Sequence, residues 1–85
     1  MKVEIYAIYD AAVQAFLQPF FSPTKGSALR ALTDSVNDPK SAFAQHAGDY
    51  TLFALGSFDD VAGVFDTSPP ERVVSVLELV IKNVS

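Results

Sequence analysis

Hydrophobic and polar residues alternate along the first segment of the chain. Val3, Ile5, Ala7 and Tyr9 fall on one side, and Lys2, Glu4, Tyr6 and Ile8 on the other. A repeat of two marks a half-buried strand, because successive side chains point to opposite faces. Asp10 suits an N-cap, and Val13, Phe16 and Leu17 recur at helical spacing, so a short helix is expected up to Pro19. Phe20-Phe21-Ser22-Pro23 reads as extended or turn-like, since a residue before proline avoids the α region. A second helix should begin between Ser22 and Ser27 and run to about Asn37. Leu29, Leu32 and Val36 form its apolar stripe, and Pro39 stops it.

Lys40 to Gly48 reads as a loop or a single turn. Tyr50 to Phe58 is apolar at successive positions, the pattern of a central strand covered on each side. Asp59, Asp60 and Gly63 are turn residues, and Val64-Phe65 returns as a partner strand, which predicts a hairpin. Ser68 to Glu71 and Ser75 to Glu78 both have capping-box spacing, yet the density of valine favours extended chain. A strand around Arg72–Val74 passing into a short helix reconciles the two. The expected fold is α+β: a small three- to four-stranded, mainly antiparallel sheet. Two helices separate strands 1 and 2, and a short C-terminal helix is possible.

Composition narrows the class. Eighty-five residues make a single domain. A domain this small buries only about 60–65% of its unfolded surface, so covering more apolar area with a second copy is favourable and a homo-dimer is expected. The apolar runs fall far short of the roughly 20 residues that span a bilayer, and Glu4 interrupts any signal-peptide core. Without cysteine there is no disulfide framework and no thiolate zinc site. A cytosolic location is the plain expectation.

The net charge is -4, with a pI near 4.6, which argues against a generic nucleic-acid coat. The deficit lies wholly after Gly48, where acids outnumber Arg72 and Lys82. Gln18 to Leu32, by contrast, holds Lys25 and Arg30 and no carboxylate. Backbone N–H groups at a helix N-terminus attract anions, and Thr24, Lys25, Gly26, Ser27 and Arg30 would strengthen such a site. The alternative is structural: Gly26 and Ser27 shape a helix start, and Arg30 pairs with Asp34 one turn on. The spacing is not that of a P-loop, so nucleotide hydrolysis is not implied.

Phe20, Phe21, Tyr50 and Phe53 are candidates for stacking on unpaired bases, although aromatics at strand positions more often fill a core. Adjacent residues of an extended chain point opposite ways, so one of Phe20 and Phe21 should face water. Asp59, Asp60 and Asp66 lack the spacing of a calcium loop, and His46, the lone histidine, has no evident catalytic or ligand partner. No metal, cofactor or enzymatic activity is expected.

Four motifs occur in order: "YAIYD" at Tyr6–Asp10, "QPFF" at Gln18–Phe21, "ALRALTDSVNDP" at Ala28–Pro39 and "GDYTLFALGSFDDVAG" at Gly48–Gly63. Together they resemble the small non-structural protein of gokushovirus-type microviruses, phages with circular single-stranded DNA. The likeness spans the chain up to Gly63 and weakens after it. It implies a protein of the host cytoplasm, absent from the mature virion. By analogy with the bullavirus protein C, it also implies a role in switching genome synthesis towards single-strand packaging. Two functions follow as expectations. One is weak binding of single-stranded DNA through the local basic and aromatic residues. The other is a protein–protein adaptor docking on the phage replication initiator or a host replication protein.

Overall fold

A computed structural model of the chain describes residues 1–80. Its frame is one antiparallel sheet. The long first strand, β1 (Lys2–Asp10), pairs on one side with two short segments, β2 (Ala15–Phe16) and β3 (Phe20–Ser22). On its other side it pairs with β4 (Tyr50–Asp59), which pairs in turn with β5 (Val64–Ser75). The order is β2-β1-β4-β5, with β3 also on β1. Between β3 and β4 lie helix α1 (Lys25–Val36), the single turn α2 (Ala42–Gln45) and a 3-10 turn at Ala47–Asp49. A second 3-10 turn, Val76–Leu79, follows β5.

The expected α+β architecture is therefore present, with the four-residue turn Asp60–Gly63 closing the β4–β5 hairpin. One element differs. The segment after Asp10 is not a helix but a tight hairpin that folds Phe16 back beside Tyr9. The Asp10 carboxylate accepts the Ala12 N–H at 3.0 Å, closing a local turn instead of capping a helix, and Gln14 takes φ 56°. Few residues separate Asp10 from Pro19, too few to repay helix nucleation, whereas pairing on β1 also sets one edge of the Phe16 ring against Tyr9 and Phe53.

Helix α1 follows its apolar stripe: Ala28, Leu32 and Val36 are buried and Leu29 packs against them. They meet Tyr6, Ile8, Tyr50, Leu52 and Val76 in a single core on one side of the sheet. The Asn37 side-chain amide donates to the Leu79 carbonyl at 3.1 Å and so ties the end of α1 to the last turn. Ser75 and Glu78 form the capping box of that turn, while Ser68-Pro69-Pro70-Glu71, with the same spacing, stays extended within β5. β4 holds the central position expected of it, but only one of its faces lies under the helix.

Candidate functional site: an open, carboxylate-free sheet face

The register sorts the side chains of the sheet into two sets. Partners directly opposite each other share a face. Tyr6 stands opposite Ala54 and Phe20, Ile8 opposite Leu52, and Asp10 opposite Tyr50, all on the α1 side. The other face carries Val3 opposite Phe58, Ile5 opposite Phe21 and Gly56, Ala7 opposite Phe53, and Tyr9 opposite Phe16 and Thr51. In β5, Phe65 stands opposite Phe58 and extends that face to the edge.

Two aromatic clusters cover the open face. Tyr9, Phe16 and Phe53 meet edge to face, with centroids 5.0, 6.3 and 5.4 Å apart. Phe58 bridges Phe21 at 5.9 Å and Phe65 at 4.8 Å. Between them Ile5 and Ala7 are buried although no helix lies above, because each is flanked by a ring. The outer rings are not buried: Phe16 is 44% exposed, Phe21 55% and Phe65 59%.

The same alternation sends the carboxylates the other way. Glu4 pairs with Ser57, Asp66 with Ser57, Asp59 with Lys2 and Val64, and Glu71 with Ala54, so these acids and Asp10 all project from the α1 side. None of the strand carboxylates lies on the aromatic face. The cation that the register brings to its rim is Arg72, opposite Phe53 on the edge strand, where it also borders a cleft of the α1 side. Its guanidinium is held by Glu78 at 3.2 Å.

The residues singled out in the sequence are distributed over three places. Phe21 and Phe53 lie on the open face, where Phe16, Phe58 and Phe65 join them. Phe16 was hidden by its helical spacing to Val13. Phe20 turns to the α1 side and stacks on Tyr6 at 6.0 Å, so the Phe20-Phe21 pair does divide between core and water. Tyr50 is buried against Phe43, and burial, then the neighbouring Asp10 and Asp49 charges, raise its pKa.

Thr24 caps α1, its hydroxyl accepting the Ser27 N–H at 3.0 Å and donating to the Ser27 hydroxyl at 3.0 Å. The hydroxyls offered for an anion thus bond one another. Gly26 lies in the first turn with open space around its Cα beyond Thr24. Lys25 and Arg30 are five residues apart, about 140° around the helix. Lys25 overhangs a cleft of about 330 Å3 that also contains Glu4, Tyr6, Glu71 and Arg72. Arg30 is exposed, away from the buried stripe, and no carboxylate stands within ion-pair distance of it or of Lys25 among the described residues. The two cations therefore do not share a face.

In the cleft the Tyr6 hydroxyl donates to the Glu4 carboxylate, and burial, helped by that bond, pushes the Tyr6 pKa up to about 12. At the hairpin tip the Asp59 carboxylate accepts the Val61 and Ala62 N–H groups, which hold its pKa below the usual range. Asp60 pairs with the N-terminal amine at 2.9 Å. These acids act as turn formers, and among the described residues no cluster of three or more His, Asp or Glu has metal-site geometry. No helix among them is long and apolar enough to cross a membrane.

Residues 3–79 match the family described as phage ORF5 protein. The chain belongs to that phage protein family. Neither a curated protein nor a solved structure matches it. The match runs past Gly63 through β5 to the last 3-10 turn, so it covers the part of this phage protein where the four sequence motifs end.

Proposed function

We propose that this phage protein is a non-catalytic single-stranded DNA-binding protein, acting in genome replication or packaging, which lays unpaired bases on the open face of its sheet. The observation that carries this is the coincidence of half-exposed Phe16, Phe21 and Phe65 with a face free of strand carboxylates in a chain of net charge -4. Stacking is worth about 1–3 kcal/mol per base and tolerates any sequence, which suits a partner as long as a genome. Arg72 supplies a phosphate contact at the rim; Lys25 and Arg30, off the face, add only long-range attraction. Binding is accordingly weak. In this proposal the protein is of the gokushovirus type and resembles protein C in role, works in the host cytoplasm and is absent from the mature virion.

A fluorescent oligothymidine titrated at two salt concentrations tests it. Affinity should fall with salt, with a slope of about −0.7 per neutralised phosphate, and Phe16→Ala should weaken binding by about tenfold, the cost of one stacked base. Absence of binding at low salt, or binding indifferent to Phe16→Ala, removes the proposal.

A second role is favoured by one specific observation. Glu4, Asp59, Asp66 and Glu71 gather on the opposite side of the sheet, a surface that repels DNA and suits a basic protein partner. A phage replication initiator or host replication protein recovered with the chain after nuclease treatment would support that adaptor role.

A further inference from the structure

We propose that the open face is also where a second copy of this chain packs, so that self-association and strand binding exclude each other. The exclusion rests on the single-stranded DNA proposal above; the packing of two copies does not.

A sheet is stable when each apolar face is covered by another layer. Here α1 and the turns cover one side, while the other leaves Phe16, Phe21 and Phe65 in water. The nine residues of β1 and the width of four strands give this face an area on the order of 600 Å2 at ordinary strand spacings. Two copies face to face would then remove about 1,200 Å2, the lower end of specific interfaces. The sheets of such a pair stack about 10 Å apart, and the carboxylates of both copies point outward. That keeps them beyond the Debye length of about 8 Å at physiological salt, so the net negative charge does not oppose pairing.

The other route to a dimer is blunted. β5 is a free edge, but Pro69 and Pro70 lack N–H donors and fall at its register shift opposite Leu55, which interrupts any continuous ladder with another chain. Among the described residues the open face gathers Phe16, Phe21 and Phe65 on one surface for a like partner, whereas exposed Val13, Val61 and Leu77 lie in turns. Nucleic acid competes for it through stacking, yet among the described residues finds only Arg72 at its rim, already paired with Glu78.

Sedimentation equilibrium of the full chain, without DNA, at 50 and 500 mM salt is the test. A monomer–dimer equilibrium with a micromolar Kd is expected, unchanged or tighter at high salt, the opposite of DNA binding. Thr67 is exposed and lies on the open face by alternation from Phe65. Thr67→Glu would bury an unpaired charge and should raise the dimer Kd at least tenfold, and Phe65→Ser should do the same, both with unchanged circular dichroism. Added oligothymidine should convert dimer to DNA-bound monomer. A chain that stays monomeric at every concentration, or a dimer indifferent to both variants, overturns the packing. A dimer that takes up oligothymidine intact overturns the exclusion. A dimer that binds no oligothymidine supports the packing and removes the DNA proposal instead.

Discussion

The backbone oxygen of Asp66 lies 2.1 Å from where a Cβ on Gly56 would stand, and the Thr67 Cα lies 2.8 Å from it. Gly56 also adopts φ 141°, a conformation closed to other residues. It sits where both pairings of β4 slip, against β1 between Ile5 and Tyr6 and against β5 between Ala54 and Gly56. Gly56→Ala should therefore cost more than about 2 kcal/mol, from the clash and the strained dihedral together. In a domain of this size that lowers Tm by roughly 10 °C. Gly48→Ala, with open space at its Cβ and an ordinary φ, should leave the melting curve almost unchanged. Equal melting of the two variants would show that the slip does not depend on glycine.

That slip also explains why the open face was not legible in the sequence. Tyr50 to Phe58 is apolar at nearly every position, and the residue left over at Leu55 switches which positions face α1 part-way along β4. Periodicity cannot locate such a switch. Helix α1 was legible, because its stripe is regular and Thr24, Ser27 and Pro39 mark its ends. The segment Val13–Leu17 was misread because three apolar residues fit both a helical turn and a hairpin, and long-range contact of Phe16 with Tyr9 and Phe53 decides between them. For the candidate site, the division of Phe20 from Phe21 followed from extended geometry. The separation of Lys25 from Arg30 was implicit in helical spacing. The gathering of Phe21, Phe58 and Phe65 depends on strand order, which no local pattern carries.

The Thr24 hydroxyl is occupied by the start of α1, so its role is structural. Thr24→Ala removes the acceptor for the Ser27 N–H and should cost about 1 kcal/mol, seen as a Tm lower by about 4–8 °C. Affinity for oligothymidine should stay within twofold. A loss of DNA binding without a loss of stability would return the anion site to the helix N-terminus.

Tyr6 gives the protein a weakness at alkaline pH. Its residue is 2% exposed, and its pKa, pushed up to about 12, lies above the value near 10 that it has when unfolded. The folded chain thus retains a proton that the unfolded chain loses between these values. Stability is fully present below about pH 10 and declines as pH rises towards 12. Urea midpoints measured across that window should fall, and Tyr6→Phe should flatten the slope while costing about 1 kcal/mol at neutral pH through the lost bond to Glu4. An alkaline slope identical in Tyr6→Phe would assign the titration to another group.

Glu78 serves two partners, and they can be separated. One carboxylate oxygen accepts the Ser75 N–H at 3.0 Å, closing the capping box, and the other holds Arg72 at 3.2 Å. Both contacts, the backbone bond first, keep the Glu78 pKa below its usual range. Glutamine can still accept the Ser75 N–H, so Glu78→Gln preserves the cap, but it releases the charge on Arg72. An exposed ion pair of this kind contributes little to folding, so the melting temperature should move by no more than a few degrees. If strand phosphates meet the rim at Arg72, the variant should bind oligothymidine more tightly at low salt, with a salt slope steeper by up to about 0.7. Unaltered affinity and slope would place the phosphates elsewhere, and the aromatic face would then have to hold its bases without help from that edge.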